Sequence, residues 1–397
     1  MAIIIKGKTF TSTEQVTSTK LHQLVDSATF DAAAADGSTL EVSAGALRVK
    51  DLGVTGAKIA DSTITDAKIA NSTITGAKFA TSVYMGNRNR LINGAFTINQ
   101  AGLTSVADAA YHLDQWYALT ESGNVTIAQQ TDQENGQPNS LRMTQPDVTA
   151  KRMGSAQPIE SINCRDLRGQ TVALRARIRC SLSQAIRYAI VEWTGTADTI
   201  TKDVVNSWTS ATFTTGNFFI STTTTIAATG SVTPTANTWT DLLASATISS
   251  SANNLIVFIW SEGTLAQNAT LDLGAVQLAQ GAQTPFEARP AGLEWLLAQR
   301  YYQSYFRTTT QRSGIRVYGY VPAGSVAMLQ ALVFPVPMRT NPTAAVVGTW
   351  TVTNCSQPTI SVASNTGAEI LVTSTAAGIC DAYPDSTDDG VTFSARL

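Results

Sequence analysis

Acidic and aromatic side chains gather near the C-terminus of this 397-residue sequence. Residues 381–390 read DAYPDSTDDG, which puts Asp381, Asp385, Asp388 and Asp389 in one short stretch. Cleavage of a polysaccharide needs two carboxylates facing each other across a groove, about 5–10 Å apart. Acids spaced this closely along a loop more often make a solvated turn, and sometimes a calcium site. The turn is the reading adopted here. Asp385 and Asp388, with Asp272 further back, are the weak calcium candidates, and no other cofactor is expected. The aromatic residues point to binding rather than bond breaking, because the C–H faces of a sugar stack on Trp and Tyr while its hydroxyls seek Asn, Asp, Gln or Arg. Candidates are Tyr383, Trp350, Tyr318 and Tyr320 towards the C-terminus, and Trp208 and Trp239 in the middle of the chain. Such residues are more often core than ligand. Tyr383, read as lying in a loop beside Pro384, carries the most weight.

Catalytic sets are hard to assemble. The sequence has no G-x-x-x-x-G-K, no G-x-S-x-G and no H-E-x-x-H. His22 and His112 are the only histidines, so a His-dependent triad or an ordinary zinc site has almost no side chains to draw on. Cys164, Cys180, Cys355 and Cys380 show no C-x-x-C spacing and read as small, reduced core residues, with a Cys355–Cys380 bridge as the alternative. The expectation is a protein that is not an enzyme.

The strongest organising signal lies elsewhere. Residues 54–79 align on themselves as VTGAKIADST, ITDAKIANST and ITGAKFA, a repeat of ten. Val54, Ile64 and Ile74 fall in one column, Ile59, Ile69 and Phe79 in a second, and Lys58, Lys68 and Lys78 in a third. An apolar residue every five positions suits neither a long helix nor a flat strand. It suits a small stacked unit: an extended step, then a turn of helix capped by the Thr of T-x-A-K-I. Six apolar side chains cannot offset the entropy of ordering so long a stretch in one chain. Three chains about a common axis bring each column against its copies, so the repeat predicts a homotrimer.

Composition narrows the partners. A formal charge of −2 argues against nucleic acid, which needs clustered Lys and Arg. Charged residues make up 14% of the chain while Ser, Thr, Ala and Gly abound, a profile of β-rich proteins that work outside cells or on particles. No apolar run approaches the eighteen or so residues of a membrane helix, the longest being strand-sized at 255–260, so membrane insertion is not expected. The opening MAIIIK places its charge after the apolar run, the reverse of an export signal, and predicts assembly in the cytoplasm.

Read in order, residues 1–50 form a small N-terminal piece. It has a short strand at Ile3, Ile4 and Ile5, a helix over 17–25 capped by Thr17, a turn at Asp36 and Gly37, and strands near 39–43 and 47–50. The first dozen residues read equally well as a disordered leader. The repeat occupies 51–83. From 84 to 287 the pattern is all-β, with apolar and polar residues alternating over 172–180, and Phe213, Phe218, Phe219 and Ile220 arguing for further strands in the Thr/Ser-rich tract 196–251. Many short strands with turns between them predict a two-sheet sandwich or jelly roll. Residues 292–305 read as one helix with Leu293, Leu296, Leu297 and Tyr301 on a single face, the core of a helical connector over 288–307. Residues 308–397 are β again, with strands near 314–320, 345–352, 359–362, 370–372 and 391–397.

The order LINGAF (91–96), DQW (114–116), SLRM (140–143), LRGQTVALRAR (167–177), TWT (238–240) and LDLGAVQL (271–278) resembles jelly-roll carbohydrate-binding modules over about two hundred residues. In those modules the opening Asn-Gly-x-Phe and the closing Leu-Asp strand share a sheet. Their closing strand often carries two acids where this one has Asp272 then Leu273, which counts against a calcium site. With RNRLING (88–94), PFEARP (285–290), QRYY (299–302) and the A-K-I-A repeat, the whole chain is similar to bacteriophage tail-fibre proteins. That resemblance implies an elongated, mainly β trimeric fibre: a virion-docking N-terminal piece, a short repeat shaft, a jelly-roll sandwich, a short helix and a β-sandwich tip. Implied partners are identical chains, a phage tail or baseplate protein at the N-terminus and a host-surface glycan, with the virion as location. Alternatives are a depolymerase tailspike acting through the C-terminal acids and a bacterial sugar-binding adhesin.

Overall fold

In this computed structural model, residues 4–44, 46–60, 63–64, 88–131, 137–306 and 315–397 are described. The chain divides into two compact units, Met1–Lys78 and Phe79–Leu397.

In the first unit, Ile4–Ile5 pairs antiparallel with Thr29–Phe30. The helix Ser18–Asp26 starts where Thr17, in extended conformation, accepts a hydrogen bond from the Lys20 N–H at 3.3 Å. It buries none of its residues, so its apolar stripe of Leu21 and Val25 faces water. The Asp36 carboxylate accepts the backbone N–H groups of Ser38, Thr39 and Leu40 at 2.6–2.9 Å, which sets the turn into the hairpin Leu40–Ser43/Ala46–Val49 and holds its pKa well below the usual range. The first decapeptide makes the expected turn as a 3₁₀ helix, Gly56–Lys58, closed by the Lys58 N–H on the Thr55 carbonyl. Thr55 sits at the capping position, but its side chain makes no capping bond, which departs from the expected cap. Lys58 instead ties the repeat to the hairpin, donating to the Gly53 carbonyl at 3.1 Å and to the Thr39 hydroxyl. Val54, Ile59 and Ile64 are 53%, 39% and 56% exposed in the single chain. Ile69, Ile74 and Phe79 lie outside the described residues.

The second unit is mainly β. Its larger part is an antiparallel sandwich. One sheet runs in the order Thr240–Thr247, Thr171–Cys180, Thr270–Gln280, Ser140–Thr144, Val125–Gln130, Ser105–Val106; the other runs Thr224–Val232, Ile186–Trp193, Asn254–Ser261, Met153–Ile159, Tyr117–Thr120. Period-two alternation decides which face is dry. On Thr171–Cys180, Val172, Leu174, Ala176, Ile178 and Cys180 enter the core between the sheets while Arg175, Arg177 and Arg179 face outwards. Residues 89–94 run beside the closing strand, with Arg90 N–H on Leu278 O at 2.8 Å and Val276 N–H on Gly94 O at 2.9 Å, but they form turns rather than a strand.

Asn254–Ser261 is buried on both faces, which is why its sequence is unbroken apolar over residues 255–260. Leu255, Val257 and Ile259 point between the sheets; Ile256, Phe258 and Trp260 point to the outside of the five-stranded sheet. A strap over 194–223 covers that outer face. The Thr/Ser-rich tract 196–251 does carry further strands, Thr224–Val232 and Thr240–Thr247, but Phe213, Phe218, Phe219 and Ile220 lie outside them. Phe218 instead stacks on Trp260 with centroids 5.0 Å apart, and Phe213, Phe219 and Trp208 close around the pair. Asp198 pins the strap by accepting the Ser161 N–H and hydroxyl at 2.8 Å and the Asn254 amide at 2.7 Å.

The helix Ala291–Gln299 is shorter than the pattern over 292–305 predicts. Tyr302–Phe306 is a strand, because pairing with Gly390–Ser394 claims it. Leu296 is exposed, and the helix buries Glu294 and Ala298, with Glu294 paired to Arg289 at 2.9 Å. Three three-stranded sheets enclose a second core: Tyr302–Phe306 with Gly390–Ser394 and Thr343–Val347; Val317–Val321 with Gly378–Tyr383 and Thr351–Thr353; Ala327–Val333 with Gly367–Thr373 and Thr359–Ala363. Arg300 pairs with Glu160 at 2.8 Å, and the Tyr301 and Tyr111 hydroxyls donate to Glu160 and to the Leu397 carbonyl at 2.6 and 2.7 Å, joining this part to the sandwich. All four cysteines are free and buried. The Cys380 thiol is pushed up to about 11 by burial first and the neighbouring Cys355 second. Among the described residues no helix is long and apolar enough to cross a membrane.

Candidate functional site

The six aromatic candidates separate into four environments. Trp350 is a core residue of the C-terminal part, beside Phe334 and Phe393 in the same cluster. Trp208 packs edge-on against Phe218 and Phe258 beneath the strap, so its ring is spent on closing the sandwich. Trp239 lies half-buried on the outer face of the six-stranded sheet, with the Arg179 guanidinium 4.6 Å over its ring. None of these three offers a free aromatic face.

Tyr318, Tyr320 and Tyr383 come together. Val317–Val321 pairs with Gly378–Tyr383 so that Tyr318 lies opposite Asp381 and Tyr320 opposite Ile379, while Thr351 lies opposite Tyr383 on the third strand. Alternation turns Val317, Val321, Cys380 and Ala382 into the core and leaves Tyr318, Tyr320, Ile379, Asp381 and Tyr383 on the outer face. Tyr383 belongs to a strand, which corrects its placement in a loop. Arg316 completes the face. Its guanidinium meets the Asp381 carboxylate in two bonds of 2.6 and 2.7 Å and lies 4.6 Å from the Tyr318 ring and 5.6 Å from the Tyr383 ring. The result is a sheet surface with two exposed tyrosines, Tyr318 at 57% and Tyr320 at 74%, beside a fixed, planar ion pair. Sequence reasoning missed Arg316 and Asp381. The signal was present as period two: Tyr318 and Tyr320 alternate on one strand with Arg316 two positions earlier, just before the strand begins, and Asp381 and Tyr383 alternate on the next.

The acids are otherwise engaged. Asp389 accepts the Thr349 and Ser386 N–H groups at 3.1 and 3.2 Å, and Asp385 accepts the Thr351 hydroxyl. Asp272 is fully buried and takes Arg142 in two bonds of 2.8 Å and Arg179 at 2.7 Å. Two guanidiniums neutralise this carboxylate, which corrects its candidacy as a calcium ligand. Among the described residues no group of three or more His, Cys, Asp or Glu side chains is arranged to hold a metal ion. His112 is wholly buried with Nε2 3.0 Å from the Ser155 hydroxyl, and burial, ahead of the Arg396 charge, pulls its pKa down to about 3. A buried Ser155 beside a neutral imidazole has no route to a substrate, so this pair is part of the core.

No known protein family matches this sequence, and no curated protein does. Among solved structures the chain is similar to TmCBM61 in complex with β-1,4-galactotriose, at 9% identity and a TM-score of 0.31 over 49% of this chain and 100% of that chain. It is similar to the enzymatically active domain of tailspike protein 4 from bacteriophage CBA120, at 12% identity and 0.31 over 49% of this chain and 21% of that one. A third is the CBM22-1–GH10 modules of Clostridium thermocellum xylanase 10B complexed with xylohexaose, at 12% and 0.30 over 51% and 30%. At such identities and TM-scores neither a site nor a role transfers from these structures.

Proposed function

We propose that this chain is a non-enzymatic adhesion protein, a homotrimeric tail-fibre component of a phage particle that grips a host-surface glycan with the outer face of its C-terminal part. The observation that carries the reading is the juxtaposition of exposed Tyr318 and Tyr320 with the Arg316–Asp381 pair on one sheet surface. Tyrosine rings take the C–H faces of pyranoses, and a guanidinium and carboxylate held rigid by each other supply donors and acceptors for ring hydroxyls. Cleavage is disfavoured because Asp381 and Asp389 are committed to Arg316 and to backbone N–H groups, and Asp385 to Thr351.

Trimerisation is supported by apolar side chains that one chain leaves wet. These are Val54, Ile59 and Ile64 in the repeat, and Leu329, Val333 and Val362 on the outer face of the Ala327–Val333 sheet. Copies of the chain dry them, and three linked weak sites then gain avidity without better contacts. In this reading residues 1–50 dock to the tail or baseplate, 51–83 form the shaft, 84–287 the sandwich, 288–307 the connector and 308–397 the tip, on a particle assembled in the host cytoplasm.

The test is a glycan array probed with the full chain and with Tyr318→Ala/Tyr320→Ala, alongside light scattering. The expected result is binding that the double variant loses by about tenfold or more, equivalent to about 1.4 kcal/mol, and a particle mass of three 42.0 kDa chains. Equal binding by the double variant, or a monomeric mass, overturns it.

A further inference from the structure

A cavity of about 560 Å³ opens where the sandwich loop 99–103 meets the C-terminal strands, and none of Arg316, Tyr318, Tyr320, Asp381 or Tyr383 lines it. Its volume lies in the range, about 300–1,000 Å³, usual for small-ligand pockets, and such pockets favour junctions of this kind. Leu103, Tyr302 and Phe306 supply apolar lining; Asn99, Asp388 and Arg396 supply polar lining. Arg396 is an unusual wall. Its side chain is 8% exposed, its guanidinium sits 4.0 Å from the Tyr302 ring and 4.7 Å from the Tyr111 ring, and its Nε and Nη2 have no hydrogen-bond acceptor. The Asp114 carboxylate comes only to 4.0 Å from Nη2, and its oxygens are taken by the Gln100 N–H and side-chain amide at 2.7 Å. Nε and Nη2 of Arg396 have almost no exposed surface, so Arg396 closes the cavity as packed charge and not as a set of free donors.

The charges select among ligands. Arg396 is balanced by Asp114, and Asp388 leaves the site one negative charge, which disfavours an anion. A purely apolar ligand strips water from Asp388 and Asn99 without replacing their hydrogen bonds. What remains is a neutral molecule with an apolar face and several hydroxyls. We propose that this cavity is a second carbohydrate site, one that takes a single neutral pyranose unit with its ring against Leu103 and Phe306 and its hydroxyls towards Asp388 and Asn99.

Saturation-transfer NMR and calorimetry on the full chain test this with methyl β-glucoside, methyl β-galactoside and sodium glucuronate as probes. Expected are transfer to at least one neutral glycoside and none to glucuronate. Affinity should fall tenfold or more in Asp388→Asn and in Asn99→Ala, each with a native near-ultraviolet dichroism spectrum. No transfer to either neutral glycoside, transfer to glucuronate alone, or equal affinity in both cavity variants overturns the proposal. Loss in Tyr320→Ala with none in Asp388→Asn confines sugar to the tyrosine face, sinking the cavity site while leaving the adhesion reading intact.

Discussion

Arg316, just before the strand Val317–Val321, meets Asp381 of the neighbouring strand in two bonds of 2.7 and 2.6 Å, and two of the three candidate tyrosines lie near the same guanidinium. The pair acts as a spacer that holds Tyr318 and Tyr383 on either side of a polar centre. Lysine keeps the charge but not the planar fork. Arg316→Lys is therefore expected to weaken the proposed glycan binding several-fold while leaving stability nearly unchanged, since the pair is partly exposed. Paired calorimetric and melting experiments check both halves, and a large loss of stability with binding retained contradicts the spacer role.

The exposed columns of the repeat make a second prediction. Ile59→Asp and Ile64→Asp place a charge where copies of the chain are proposed to meet, so each should lower the mass from that of the proposed trimer to that of single chains. Light scattering reads the mass. The helix and hairpin of the first unit make no use of Ile64, so their dichroism should persist.

Beneath the strap, Phe218 is stacked on Trp260 and packed with Phe213, Phe219 and Trp208. Phe218→Ala leaves a cavity there and should cost about 3–5 kcal/mol. Denaturant titration measures it. Protease cutting within 194–223 should rise in the same variant, because this aromatic cluster holds the strap to the sheet.

Asp272 should behave as a structural anion. Asp272→Ala strands Arg142 and Arg179 around a lost partner and should cost about 3–5 kcal/mol. Chelators should leave the melting temperature of the natural chain unchanged. A fall on adding a chelator, restored by calcium, contradicts the ion-pair assignment.

His112 sets a sign for the pH dependence. An unfolded histidine takes a proton near pH 6.5, whereas the folded one resists until about 3. Its contribution to stability is full above 6.5 and declines as pH falls from 6.5 towards 3, by about 1.4 kcal/mol per unit. Burial raises Asp108, Asp114 and Asp203, which act in the opposite sense, so the informative quantity is the change in slope. His112→Asn should flatten the stability curve between pH 4 and 6, measured by denaturant midpoints. An unchanged slope contradicts the neutral, buried imidazole.

Much was legible in the sequence because it depends on neighbours along the chain. Thr17 before an apolar spacing of three and four predicts the helix that forms, and alternation over 172–180 predicts both a strand and which side of it is dry. The ten-residue period predicts the turn at Gly56–Lys58. Local pattern failed where two distant segments compete for one stretch. Tyr302–Phe306 reads as the end of a helix, yet Gly390–Ser394 pairs with it, and ladder bonds outweigh a weak helical preference. Phe213, Phe218 and Phe219 read as strand residues, and became a cover because the sheet beneath offered an apolar outer face that needed one.

The binding residues divide in the same way. Side-chain type nominated six aromatic residues, and type alone could not say which were free. Trp350 and Trp208 are among the largest apolar surfaces in the chain, and burying them is worth more than exposing them. Tyr318 and Tyr320 share a strand face by parity, which the sequence by itself determined. That Arg316 and Asp381 join them was decided only by the tertiary structure, because the register between Val317–Val321 and Gly378–Tyr383 is set by the core residues packing on the opposite face, sixty positions of chain apart.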